Sequence, residues 1–181
     1  MTVELSQAEV FPLIRSGGLF LIAAGASIVI GAFRFRARYV ILAGSAAIGA
    51  VLTSLFAAAL AGPFGPVRLI EVLSLAIAVA TETVLLISAL RRPWAHDERE
   101  ATLTILTIVG GHFLLMAPAF GPLIVALAGT SVLNTLLGLS WRGYPITWLW
   151  GLDGALKTSV GALMFLGHQL PCTGCLAWPD L

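Results

Sequence analysis

A chain of 181 residues with 59% hydrophobic residues, only 10% charged residues and a net charge of +1 is not an ordinary soluble domain, which carries about 25% charged residues. The near-neutral charge gives no case for nucleic acid as a partner, and the chain has no Walker loop, no GxGxxG and no RNA- or DNA-binding motif. Mean hydropathy is +0.98, and several apolar runs reach the roughly 20 residues that cross a bilayer.

Residues 1–12, MTVELSQAEVFP, are polar and acidic. They lack the basic start of a cleaved signal peptide, so the first apolar run is expected to stay as a membrane anchor. Span 1 is expected over 12–33, ending at Arg34, Arg36 and Arg38. Span 2 follows over 39–61 and stops at Gly62-Pro63-Phe64-Gly65-Pro66. Span 3 covers 67–90, with Arg68 at its start, and leads into the polar loop 91–100. Span 4 is expected over 101–120 and span 5 over 122–141. Arg142-Gly143-Tyr144-Pro145 then opens span 6 at 147–167, and a more polar tail, 168–181, closes the chain. The expected fold is all-α: one domain, a polytopic bundle of six transmembrane helices.

Basic residues collect on the cytoplasmic side of a membrane. The loops after spans 1, 3 and 5 hold Arg34, Arg36, Arg38, Arg91, Arg92, Arg99 and Arg142, seven of the ten Lys and Arg residues. Both termini are therefore expected outside the cell membrane. Trp94, Trp141, Tyr144 and Trp148 fall near the same ends, as an aromatic belt does. Ala23, Ser27 and Gly31, and Ser45 with Gly49, recur every four residues and read as small-residue helix contacts. Ala61-Gly62-Pro63-Phe64-Gly65-Pro66 echoes Ala117-Pro118-Ala119-Phe120-Gly121-Pro122. That echo suggests a repeated hairpin, although Gly-Pro is also ordinary turn chemistry.

Polar groups inside the spans carry the functional argument, because an ionised group at membrane depth is costly and faces protein or water. Asp153 and Lys157, the single lysine, are four apart in span 6 and share a helix face. Counted from the cytoplasmic ends at about 1.5 Å per residue, Lys157 and His112 lie about 15 Å deep, Glu82 about 12 Å, Asn134 about 10 Å and Asp153 about 9 Å. Five polar residues from four spans thus share one zone. Taken singly, Asp153 and Lys157 read as a neutralising pair, His112 as a histidine bonded to a neighbouring helix, and Asn134 as interhelical glue. Glu82 must be paired, protonated or facing water. Taken together they are expected to form an internal site. Glu71, eleven residues before Glu82, with Arg68 and Arg15, reads as an interfacial ion pair.

Cys172 and Cys175 form a CxxC in the tail. A small structural disulfide or two idle thiols is the expected reading, with a redox pair as the alternative. A zinc site needs four ligands; His168 supplies a third and no fourth is near, so no metal is expected, and no cofactor is specified.

Gly111-His112-Phe113-x-x-Met116 leading to Phe120-Gly121-Pro122, together with Asp153-Gly154-x-x-Lys157 leading to Gly161, resembles an uncharacterised family of small bacterial multi-spanning membrane proteins. The resemblance covers spans 4 to 6 and implies a bacterial inner-membrane location without an activity. Asp-x-x-x-Lys also resembles the retinal-binding helix of microbial rhodopsins. Here, however, the Trp141-x-x-Tyr144-Pro145-x-x-Trp148 motif adjoins it in the same span, and six spans are one too few.

The leading functional expectation is proton-linked transport, a channel or ligand binding, with Glu82, His112, Asn134, Asp153 and Lys157 as the site. The first alternative is an intramembrane enzyme acting on a lipid or isoprenoid, with Glu82 or Asp153 as general acid, His112 assisting, and a pocket of Trp148, Trp150 and Phe113. The second is a structural subunit of a larger membrane complex. Membrane lipids are expected partners, and a homodimer fits the small size.

Overall fold

The computed structural model describes residues 11–55, 67–91 and 97–166, and all regular structure among them is helical. Helix α1 is Ile14–Phe33. A single 3-10 turn, Phe35–Ala37, leads into α2, Arg38–Leu55. Helix α3 is Leu69–Leu90 and α4 is Glu98–His112. From α4 the chain tightens into a 3-10 segment, Phe113–Met116, and a one-turn helix α5, Ala117–Phe120. Helix α6 is Pro122–Ser140 and α7 is Ile146–Leu166.

Each boundary has a local cause. The Asp97 carboxylate accepts from the backbone N–H of Arg99 and of Glu100, at 2.8 and 3.1 Å, satisfying two of the free donors at the start of α4. The helix therefore begins three residues before the expected Ala101. The Glu71 carboxylate reaches back to the backbone N–H of Arg68 at 3.0 Å and to its guanidinium at 2.9 Å, which caps α3. Pro118 has no N–H for the carbonyl four residues earlier, and the backbone over Phe113–Met116 tightens to the 3-10 form instead. Expected span 4 is thus one continuous path in three pieces. Gly121 holds φ at +76°, a conformation costly for any residue with a Cβ, and Pro122 then starts α6 at its first position.

Five stretches are long and apolar enough to cross a membrane: Ile14–Phe33, Phe35–Leu55, Leu69–Leu90, Glu98–Phe120 and Pro122–Ser140. Helix α7 has 21 residues but carries Asp153 and Lys157, which lower its hydropathy. The Gly-Pro segment at 62–66, the end of span 2 and the cysteine tail lie outside the described residues, so the echo at 117–122 has no described counterpart.

Among the five, α1 and α6 are central, with 39% and 44% of their residues buried, whereas the Phe35–Leu55 and Leu69–Leu90 stretches have 12% and 11% buried. The peripheral helices carry large exposed apolar side chains such as Val40, Leu55, Leu69 and Val84. A surface of this kind suits lipid rather than water. A core of Ile14, Leu21, Phe113, Leu123, Ile124, Leu127, Ala128 and Met164 joins α1, the 3-10 segment, α6 and α7.

The closest helix pair is α1 with α7, antiparallel. A Cβ built on Gly25 would stand 2.5 Å from the backbone nitrogen of Thr158 and 2.7 Å from the carbonyl of Gly154; one on Gly154 would stand 2.7 Å from the carbonyl of Gly25. Gly18 and Gly161 meet in the same way one heptad along. The stripe that sets this contact is Gly18-x6-Gly25 against Gly154-x6-Gly161. The expected Ala23 and Gly49 lie instead at the α1–α2 contact, where a Gly49 Cβ would be 3.4 Å from that of Ala23. Close backbone approach of this kind is the main source of helix association in lipid.

Replacing Gly25 or Gly154 with Ala is expected to lower stability by about 1–3 kcal/mol each through overpacking. Gly111→Ala and Gly129→Ala, where a Cβ meets nothing within 4 Å, are expected to be neutral or to gain up to about 1 kcal/mol of helix propensity. Thermal unfolding of the four variants in detergent checks this ordering.

Candidate functional site

Four of the five expected site residues line one cavity of about 710 Å³: Glu82 from α3, His112 from the end of α4, and Asp153 and Lys157 from α7. The lining also takes residues 13 to 28 on α1, a length of about 22 Å at 1.5 Å per residue. Its walls are mostly apolar, with the rings of Phe20, Phe113, Phe120 and Trp150 among them. The charged groups sit partway along it rather than at either end. Helix α2 packs on α1, and α3 packs on α4 and α5; among the described residues no extensive contact joins α2 to α3. The cavity lies between these two assemblies and takes lining residues from both peripheral helices.

The two pairs of titratable groups in the cavity differ. Lys157 Nζ donates to Asp153 Oδ2 within one helical turn, and the two side chains are 2% and 1% exposed. Gly154, which lies between the two in sequence, is at the close α1–α7 contact, and both side chains are shut off from solvent. Lys157 Nζ also lies 5.6 Å from the centre of the Phe113 ring, a favourable cation–π distance. Asp153 Oδ1 has no hydrogen-bond partner among the described residues.

Glu82 and His112 form the second pair, across α3 and α4, with His112 Nε2 3.5 Å from Glu82 Oε2. His112 Nδ1 lies 2.6 Å from the carbonyl of Val109. A carbonyl only accepts, so Nδ1 carries a hydrogen and a neutral ring presents a bare Nε2 to the carboxylate. Two acceptors then face each other at a distance too long for a hydrogen bond. One added proton, on either group, makes the contact attractive. The His112 side chain is 6% exposed and that of Glu82 is 23% exposed, so Glu82 is the most accessible charged group on the cavity wall.

Asn134 does not reach the cavity. Its Nδ2 donates to the carbonyl of Leu149 at 2.8 Å, tying α6 to α7, which is the interhelical glue it resembles in sequence. Trp148 is 68% exposed and lies outside the expected pocket, whereas Trp150 and Phe113 line the cavity. Glu71 is fully buried and held by Arg68, an ion pair and not a continuation of the Glu82 face. Among the described residues no three His, Cys, Asp or Glu converge as a metal site.

A cluster at the Arg38 end went unread in the sequence. The Arg38 guanidinium lies 3.8 Å from the Phe35 ring centre and 4.3 Å from that of Tyr39, bonds the Phe35 carbonyl at 2.7 Å and pairs with Glu98 at 2.9 Å. Tyr39 Oη lies 3.4 Å from Thr102 Oγ1, and its ring meets Trp150 edge-on at 5.9 Å. Tyr39 and Trp150 both line the cavity, so this cluster forms part of its wall. Arg38 counted in sequence only toward the charge bias of its loop.

These features define an all-helical protein with helices long and apolar enough to span a membrane and a largely apolar cavity bearing one ion pair and one carboxylate–imidazole contact. The chain belongs to a family of unknown function, DUF6609, which it matches over residues 5–171. No curated protein and no solved structure matches the chain.

Lys157→Met strands a buried carboxylate and is expected to cost about 3–5 kcal/mol. Adding Asp153→Asn to it removes the stranded charge and is expected to restore most of that loss. Unfolding temperatures of the single and double variants in one detergent measure the difference.

Proposed function

We propose that the chain is a small proton-linked transporter or ligand-binding protein of the cell membrane, with both termini outside and its cavity as the binding chamber. The observation that carries this reading is the Glu82–His112 contact: two acceptors from different helices placed to share one proton, on the wall of a cavity of about 710 Å³. Pockets of roughly 300–1,000 Å³ hold drug-sized ligands. With His112 neutral and no shared proton, Glu82, Asp153 and Lys157 give the cavity one net negative charge. With the proton they give none. An event that changes the charge of the cavity, such as ligand loading, therefore exchanges against that proton. Asp153 and Lys157 support this as a fixed neutral pair. The Arg38–Tyr39–Trp150 cluster serves as a stopper at one end, and the gap between α2 and α3 as a way in from lipid.

The apolar walls also favour the alternative of an enzyme acting on a lipid or isoprenoid, with Glu82 as the acid. In that case the ligand leaves chemically changed. The membrane orientation rests on the arginine-rich loops. Fusions at residue 181 are expected to give active alkaline phosphatase and dark green fluorescent protein; the reverse pattern overturns the orientation.

The functional test uses liposomes loaded with a pH-sensitive dye and a panel of drug-sized cationic, anionic and neutral amphiphiles. At least one compound is expected to move protons through the wild-type chain, and Glu82→Gln and His112→Gln are each expected to abolish that movement. Proton movement unchanged in both variants, or none with any compound, overturns the proposal. A compound recovered in altered form favours the enzyme.

A further inference from the structure

Resting on the proton-linked reading of the same cavity, we infer that its ligand is a lipophilic monocation: one protonated amine, quaternary ammonium or phosphonium centre carried on a bulky apolar body.

The charges within the cavity select this class. Five titratable side chains line it: Tyr39 from α2, Glu82 from α3, His112 from α4, and Asp153 and Lys157 from α7; α1 contributes none. The one full positive charge among them, Lys157, is 2% exposed, bound to Asp153 and lying toward the face of Phe113. No anion reaches it without breaking that pair. The negative pole is different. The Glu82 side chain is 23% exposed, whereas Asp153, at 1%, is as deeply buried as its lysine. A ligand entering the chamber therefore meets a carboxylate and not an ammonium.

The remainder of the wall fits the ligand body. The faces and edges of Phe20, Phe120 and Trp150, with Leu21, Leu106 and Ile124, offer dispersion contact along the cavity and cation–π attraction to a centre held beside Glu82. A small hydrated cation gains nothing from such walls, because its lost hydration is not replaced. A single positive charge on an apolar body matches both the one negative charge of the unprotonated cavity and its lining. The proton and the cation then compete for the same charge deficit, so binding weakens as pH falls.

The test uses an isosteric pair of opposite charge, tetraphenylphosphonium and tetraphenylborate, titrated calorimetrically into the purified full chain in a neutral detergent at pH 8 and pH 5.5. Tetraphenylphosphonium is expected to bind saturably at one per chain, to release a proton on binding, and to bind about tenfold or more weakly at the lower pH. Tetraphenylborate is expected to show no saturable binding. Glu82→Gln, checked for monodispersity, is expected to lose tetraphenylphosphonium affinity by about tenfold and to lose its pH dependence; Glu82→Asp, which keeps the charge, is expected to retain both in part.

Tetraphenylborate binding as tightly as tetraphenylphosphonium overturns the inference, as does an affinity for the cation that neither Glu82→Gln nor His112→Gln changes. Saturable, pH-dependent tetraphenylborate binding that depends on Glu82 would leave the proton-linked chamber standing and remove only the monocation. Absence of saturable binding by both ions to the wild-type chain removes the monocation as well, and the liposome panel then decides the chamber reading separately.

Discussion

Placing ionisable groups in an apolar bundle is tolerable only if each finds a compensating partner, and the rest of the structure follows from how Glu82, His112, Asp153 and Lys157 are paired on the cavity wall. Lys157 sits in the middle of α7, too far from either end for its stem to bring the ammonium to solvent. Asp153, one turn earlier, supplies the counter-charge from the same helix. That pairing leaves α7 electrically quiet enough to pack, and Gly18, Gly25, Gly154 and Gly161 let α1 lie against it backbone to backbone. The tightest contact in the bundle and its most costly charge are thus held by the same helix.

The second pair has a different character. Glu82 and His112 come from separate helices, stand 3.5 Å apart and are more open than the first pair. The carbonyl of Val109 fixes the histidine tautomer, so the pair binds one proton or sits in mild repulsion. A sealed pair within one helix thus shares a cavity wall with a more open carboxylate–imidazole contact between two helices. Among the described residues α2 and α3, the two peripheral helices, pack on different partners, and both line the cavity. The aromatic and arginine cluster around Tyr39 and Trp150 forms part of the same wall.

Much of this was legible in the sequence, for identifiable reasons. Helix number, order and approximate bounds follow from apolar run length and from arginine, Gly and Pro punctuation, which are local signals. That Glu82, His112, Asp153 and Lys157 line one cavity was legible because charge is rare in this chain, so they stood out, and their counted depths agreed. Asn134 shared that depth but faces Leu149, and depth counting along a helix contains no information about direction around it. The earlier start of α4 followed from a capping carboxylate at Asp97, in a loop that reads as uniformly polar. The Gly18/Gly25 against Gly154/Gly161 stripe was missed because its spacing is seven rather than four, and because both halves must be read together across most of the chain. Arg38 was hidden by its neighbours: three arginines in five residues read as a charge bias, and only packing distinguishes the one that stacks on Phe35 and Tyr39.

The central claim is that carboxylate, ammonium and imidazole from three helices meet in one chamber. Solid-state NMR in lipid bilayers tests it directly, with nitrogen-15 in the single lysine and the histidine rings and carbon-13 in the carboxyl groups of Asp and Glu. The account predicts one through-space contact from Lys157 Nζ to an aspartate carboxyl, and one from a histidine ring nitrogen to a glutamate carboxyl that disappears in Glu82→Gln. A lysine amine that reports only water or lipid neighbours, or histidine rings with no carboxyl contact, would contradict it.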